Sequence, residues 1–260
     1  MANTIDWGKA AINNTLGFGQ AAKNSTLGFG EIEATSWSGE TNITGTPSTP
    51  SFSNTQSIAL DGIDDFVAIS ANSNLQISDT FTISQWIKFT STNQMYVTNF
   101  GNDYGTYVQN GKFGIVFRNT SNAQKGLSST VNINDGNWHH VLAIKTTTNI
   151  YLYVDGVLES NSQGDVGRIS TRSAAIGALF NGSLFYNGNI DEVALWNTDQ
   201  SSNASSIYNG GTPTDLSTYS PLSWWRCGDG DTAPILSDNG SGGNNGTMTN
   251  FSTFSTDVPT

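Results

Sequence analysis

The sequence predicts an all-β protein with many polar turns, and three observations carry that prediction. About 120 of the 260 residues are Gly, Ser, Thr or Asn, types that disfavour helix interiors and favour turns. Charged residues make up only 12%, and Glu occurs at positions 31, 33, 40, 159 and 192 alone, so the Glu/Lys/Arg-rich composition of long helices is missing. The 7 Trp, 13 Phe and 8 Tyr can fill a packed core, which a disordered acidic chain lacks. The same totals exclude other classes. Ten Lys+Arg against 21 Asp+Glu, a net charge of −11 and a pI near 4.3 leave no basic footprint for nucleic acid. No run of about 18 apolar residues predicts a membrane-spanning helix. One cysteine, Cys227, rules out an intrachain disulfide and reads as a small buried side chain. The first residues carry neither a basic region nor an apolar signal core, so an ordinary secretory route is not expected.

Taken in order, residues 1–45 form an arm with a repeat. An aromatic–Gly pair recurs every eleven residues, at Trp7-Gly8, Phe18-Gly19 and Phe29-Gly30. So short a unit cannot bury its apolar side alone and needs a neighbour. The expectation is an assembly arm in which Trp7, Phe18 and Phe29 are buried, with a flexible leader as the alternative. Residues 44–56, with Pro47 and Pro50, read as a linker or edge segment. The main domain is placed at 46–260.

From residue 57 the strand signals are dense. Segments 57–60 and 66–69 flank an Asp/Gly turn at 61–65. Residues 81–89 alternate, with Phe81, Ile83, Gln85, Ile87 and Phe89 on one face and Trp86 on the other. Segment 112–117 follows the Asn110-Gly111 turn. Segments 138–145 and 149–154 lead into Asp155-Gly156, a strong hairpin turn, and 174–178 and 189–196 complete the run. This punctuation indicates a sandwich or barrel. Residues 198–210 are the one helix candidate, with Thr198 as cap, Ile207 and Tyr208 packing it down, and Gly210 ending it. Residues 222–230 read as a strand entering a Gly/Asp turn, and 247–254 as a last strand.

Residues 57–210 resemble the laminin-G-like branch of the concanavalin A-like lectin/glucanase superfamily. The matching pieces are Ser57-Ile-Ala-Leu-Asp-Gly-Ile-Asp-Asp-Phe-Val-Ala-Ile69, Phe81-Thr-Ile-Ser-Gln-Trp-Ile-Lys88, Asp135-Gly-Asn-Trp-His-His-Val-Leu-Ala-Ile144, Tyr151-Leu-Tyr-Val-Asp-Gly-Val-Leu158 and Gly188-Asn-Ile-Asp-Glu-Val-Ala-Leu-Trp196. The resemblance implies a jelly roll of two antiparallel sheets. Residues 222–254 look like an element that often precedes this domain in the family, so a permuted arrangement is expected, returning beside the strand near 57–69. That tail and the aromatic–Gly leader resemble structural proteins of tailed bacteriophages.

Four kinds of chemistry follow for testing. A glycosidase needs two carboxylates about 5–10 Å apart. Asp191 and Glu192 are adjacent and point to opposite faces of a strand, so no catalytic residue is expected. His139 and His140 likewise face opposite ways and cannot chelate together. The resemblance implies a structural calcium linking the opening turn to the closing strand, at Asp61, Gly62 and Asp191 with Asp64 or Asp65 as a further ligand; Asp229-Gly230-Asp231 is a second candidate. Calcium prefers six to eight oxygens, and its role here would be stabilising. Carbohydrate binding would use aromatic platforms and amides, for which Trp86, Tyr96, Asn102, Tyr104 and Tyr107 are candidates, with core packing as the alternative use of the aromatics.

The expected function is therefore a non-enzymatic virion structural protein, an exposed lectin-like jelly roll anchored by its arm. Other virion proteins, a second copy and a host surface glycan are its expected partners, at an exposed virion surface. A free carbohydrate-binding module of a bacterial surface or secreted protein is the alternative, and a glycoside hydrolase lacks its carboxylate pair.

Overall fold

The computed structural model describes residues 52–170 and 172–260; Trp7, Phe18 and Phe29 lie outside these. Strands are numbered in chain order. One sheet runs β1 (Ile58–Asp61), β12 (Asn187–Trp196), β3 (Phe81–Lys88), β8 (His139–Lys145), β9 (Asn149–Val154), β10 (Val157–Gln163), with β13 (Ser223–Trp225) also on β12. The other runs β14 (Ile235–Leu236), β15 (Gly246–Thr249), β2 (Phe66–Ile69), β11 (Ala174–Ile176), β4 (Met95–Phe100), β5 (Tyr104–Gln109), β6 (Lys112–Arg118), β7 (Gln124–Ser128). All neighbours are antiparallel, and the two sheets form a jelly-roll sandwich.

Alternation explains why the sheets face each other. On β3, Phe81, Ile83 and Ile87 enter the core, where they meet Val67, Ile69, Phe113, Ile115 and Phe117 of the opposite sheet. Gln85 shares that inner face and donates to Thr106 Oγ1 at 2.8 Å, while Thr98 and Thr106 join their hydroxyls at 2.7 Å. The outer face of β3 is buried too. Trp86 stacks towards Tyr208 and His140, because the segment after β12 folds back over this sheet.

That segment is shorter as a helix than the sequence predicts. A 3₁₀ turn at Ser201–Asn203 leads into α1 (Ala204–Tyr208), which ends at Asn209 with φ +50. Thr198 does not cap it: Asp199 Oδ1 accepts from Ser201 N–H instead, and Thr198's carbonyl receives Thr82's hydroxyl. Hairpin turns behave as their residues dictate. Asp155 (φ +48) with Gly156 (φ +77) joins β9 to β10, and Asn110 (φ +53) with Gly111 (φ +78) joins β5 to β6. Strands β4 and β5 arise from a stretch for which the sequence signals gave no element.

The C-terminal segment returns to the strand that follows the acidic turn. β15 pairs with β2, Gly246 opposite Ile69 and Thr249 opposite Phe66. β13 pairs with β12, and Trp225, Cys227, Leu236 and Met248 enter the main core. No described helix is long and apolar enough to cross a membrane.

Candidate functional site

The outer face of the larger sheet carries the groove of interest. On β4 a bulge between Tyr96 and Thr98 turns both Val97 and Thr98 inward. Tyr96 and Asn99 consequently share the outer face. Tyr96 lies opposite Tyr107 of β5, their ring centroids 6.3 Å apart. Gly105, Gly114 and Gly126 occupy successive outer positions on β5, β6 and β7. Gly114 makes room for Tyr107: a Cβ there would come within 2.6 Å of the Tyr107 ring, so the ring packs against the glycine backbone. The Tyr107 hydroxyl shares a hydrogen bond with Ser128 Oγ at 3.0 Å.

Polar side chains border this aromatic floor. Asn99 Oδ1 accepts from the backbone N–H of Asn102 (3.1 Å) and of Phe180 (3.2 Å). Asn102 itself has φ +63, a left-handed conformation that asparagine tolerates at a turn. Arg118 and its cross-strand partner Gln124 close the far end. The depression between them is small, about 10 Å³, and is lined by Tyr96, Asn99, Asn102, Val116, Arg118 and Gln124, among others, with Tyr107 beside it. Burial raises the Tyr96 phenol above its ordinary pKa of 10.0, with the nearby Arg118 charge pulling the other way.

Three of the five residues expected to touch sugar, Tyr96, Asn102 and Tyr107, meet on this face. Tyr104 and Trp86 do not. Tyr104 points into the core between Phe81 (4.5 Å) and Phe100 (4.9 Å) and donates its hydroxyl proton to the Leu75 carbonyl. Burial holds its phenol well above the usual range. Trp86 belongs to the other sheet and is only 4% exposed, covered by Tyr208 and His140. Asn99, Arg118 and Gln124 were missed by the sequence reading, although Gly114, Val116 and Arg118 alternate visibly on β6.

The acidic turn between β1 and β2 is a second feature. Asp61, Asp64 and Asp65 each offer a carboxylate oxygen within 4.8 Å of the others and could hold a metal ion. Asp61 Oδ1 accepts from the N–H of Ile63 and of Asp64, and Asp65 Oδ2 from the N–H of Asp61. Burial, and then the Asp61 and Asp64 charges, outweigh that bond and raise Asp65 above the usual carboxylate range. A cation would relieve such crowding. Gly62 (φ +78) makes the turn, where a Cβ would strike the Asn187 side chain. Asp191 is not part of this set. Strand register puts Asn187, not Asp191, opposite Asp61, and four residues of strand span about 13 Å. Beside the turn lies a cleft of about 380 Å³ lined by Gly62, Asn93, Gln94, Leu184, Phe185 and Asn187, among others.

Asp191 and Glu192 are spent elsewhere. Asp191 accepts from Asn54 Nδ2 and from Glu192 N–H. Glu192 accepts from Trp224 Nε1 (2.6 Å) and Arg226 Nε (3.0 Å). Burial pushes Asp191 well above the carboxylate range, and pushes Glu192 up to about 7 despite its Arg226 partner. The Asp229 and Asp231 carboxylates accept backbone N–H groups of Thr55 and Gln56, and of Gly228 and Ser237. Their roles are those of turn caps.

The strands from β2 to β12 are matched as one unit: the model of the concanavalin A-like lectin/glucanases superfamily covers residues 61–205, more than half of the chain. The chain belongs to that superfamily. Among solved structures, the superfamily fold is shared with a Bacteroides ovatus protein provisionally described as carbohydrate-binding. The two are 15% identical with a TM-score of 0.64, over 80% of this chain and 62% of that one. The chain thus spans about three-fifths of that protein's length. A receptor-binding domain of botulinum neurotoxin mosaic serotype C/D is 17% identical, TM-score 0.49, over 60% of this chain and 42% of that one. The binding domain of Paraclostridial Mosquitocidal Protein 1 is 12% identical, TM-score 0.48, over 60% and 47%. No curated protein matches significantly.

The superfamily also holds glucanases, and the carboxylates of Asp191, Glu192 and Asp103 do not form a hydrolytic pair. Glycoside hydrolysis needs two carboxylates facing one bond. Asp191 and Glu192 are buried and engaged, and Asp103, beside the groove, is 4% exposed and bound by Arg168 Nε (2.5 Å) and Ser170 Oγ (2.5 Å).

Proposed function

We propose that the chain is a carbohydrate-binding module of a bacterial surface or secreted protein, working outside the cell. The observation that carries this reading is the Tyr107 ring packed over Gly114 beside Tyr96, next to a small depression bordered by the amides of Asn99, Asn102 and Gln124. A sugar ring presents axial C–H groups that pack on an aromatic face, while its hydroxyls need short, fixed donors and acceptors. The family description and the name of the Bacteroides ovatus protein support the same class. The Asp61–Asp65 turn is read as a structural calcium site in which Asp65, rather than Asp191, completes the carboxylate set with Asp61 and Asp64.

The test is a glycan array probed with the full chain, followed by titration of the hits with Tyr107→Ala. Hits that weaken about tenfold or more in the variant, at an unchanged melting temperature, support the reading. An array without hits, or a variant that binds as well as the parent, sinks it.

Virion display is kept as a second reading because of the eleven-residue aromatic–Gly repeat at Trp7, Phe18 and Phe29. None of the comparisons ties the chain to virion proteins. In that reading the arm would join other virion proteins and further copies of the chain, and the groove would face a host glycan.

A further inference from the structure

Among the described residues, positive charge gathers beside this groove. The chain carries −11 overall, yet Arg118, Lys125, Arg168 and Arg172 gather around one end of this face. Two of them are spent: Arg168 binds Asp103 at 2.5 Å and Asn122 Oδ1 at 2.7 Å, and Lys125 lies 3.8 Å from Asp165. The other two have no carboxylate partner among the described residues. Arg118 is held in place through its backbone, its N–H donating to the Asp103 carbonyl and its carbonyl accepting from Arg168 N–H, both at 2.8 Å. Its side chain makes one long contact, Nη1 to the Asn122 carbonyl at 3.4 Å. Arg172 stacks on the Phe180 ring, 5.3 Å from its centroid, and packs at Gly101 beside Asn102. Phe180 and Asn102 are tied to the groove by the same Asn99 oxygen.

In a chain with 21 Asp+Glu, Arg118 lines the depression and Arg172 stands beyond it on Phe180, next to Gly101, and neither has a carboxylate partner among the described residues. A guanidinium presents a planar fork of donors that matches a carboxylate or sulfate group in two parallel hydrogen bonds. We infer that this groove selects acidic glycans, chains bearing carboxylate or sulfate groups, through Arg118 and Arg172. The inference rests on the carbohydrate-binding reading and narrows its ligand class. The protein's net charge repels a polyanion at long range, so the attraction is local and screened by salt.

Two matched pairs of probes test it on the full chain: a galacturonate hexamer against its methyl ester, and a sulfated galactose hexamer against its unsulfated parent. The acidic member of at least one pair should bind about fivefold tighter at low ionic strength, and the pair that shows it names the acidic group. Raising the salt to about 0.5 M should shrink the preference. Arg118→Gln and Arg172→Gln should each move the acidic-to-neutral affinity ratio towards one. Neutral members that bind as well as acidic ones, or variants that keep the parent's ratio, overturn the inference. Neutral hits that disappear in Tyr107→Ala would leave the carbohydrate-binding reading standing in that case. No binding to any glycan would remove both.

Discussion

His140 shows how much one residue's surroundings decide. Its Nε2 meets Ser84 Oγ at 2.9 Å, its Nδ1 is buried without a partner, and its ring lies 5.1 Å from Trp86 and 5.8 Å from Tyr208. Burial pushes its pKa from 6.5 down to about 4. The unfolded chain therefore takes up a proton that the folded chain refuses. This contribution to stability is complete above about pH 6.5 and is lost as pH falls towards about 4, up to roughly 3 kcal/mol. His139 works in the opposite sense. Its bond to Asp155 chiefly, against burial, raises its pKa, so its contribution is present below about pH 6.5 and is lost as pH rises through its folded value. Glu192 follows a similar direction at higher pH, favouring the fold below about 4.5 and losing that contribution as pH rises through about 7. Urea midpoints of the parent and His140→Gln across pH 4–7 separate these effects. The variant should lose the parent's decline on the acid side; an identical decline in both would remove His140 as its source. The opposite facing of the two histidines is a property of any strand and was readable from the sequence. Which of them is buried depends on α1, which covers the outer face of β3 and β8.

At the scale of elements, the strength of the sequence signal follows the regularity of each strand. Strand β3 was legible because Phe81, Ile83, Gln85 and Ile87 alternate without a break. Strands β4 and β5 were not, because the bulge after Tyr96 breaks the alternation and β5 carries Gly105 on its outer face. Tyr96, Tyr104 and Tyr107 were therefore candidates with no strand to sort them by face, and one of the three faces the core. The turn between β1 and β2 was legible as an Asp/Gly turn, but its partner across the sheet was not, because register is a tertiary property. The calcium reading gives this turn a direct test. Calcium at about 100 times its dissociation constant contributes roughly 2.7 kcal/mol, which for a domain of this size raises the melting temperature by about 5–10 °C. A chelator should reverse the rise, and Asp64→Asn should abolish it. A melting temperature indifferent to calcium and chelator would exclude a stabilising ion at this turn.

For the whole molecule, the C-terminal return is a structural necessity. Removing residues 221–260 deletes β13, β14 and β15 and takes Trp225, Cys227, Leu236 and Met248 out of the core. It also opens the edge of β2, where Val67 and Ile69 are buried. Each large apolar side chain lost from burial costs about 1.5–3 kcal/mol, against a total stability of roughly 5–15 kcal/mol. The truncated chain should show no cooperative thermal transition and no near-UV circular dichroism. A cooperative transition within a few degrees of the parent's would show that the return is dispensable.

Composition, turn chemistry and strand alternation determined by themselves that this is a β sandwich or barrel with an acidic composition and little helix. They could do so because those signals are local: each depends on a residue and its near neighbours in the chain. Resemblance added the superfamily, and the scarcity of Glu with the adjacency of Asp191 and Glu192 already argued against a glycosidase. Only the tertiary structure decided which aromatics face outward, that Asp191 lies a strand's length from Asp61, and that Arg118 and Arg172 stand without carboxylate partners among the described residues. Those outcomes are set by strand register, a bulge and the packing of α1, which join residues far apart in the chain and leave no local trace.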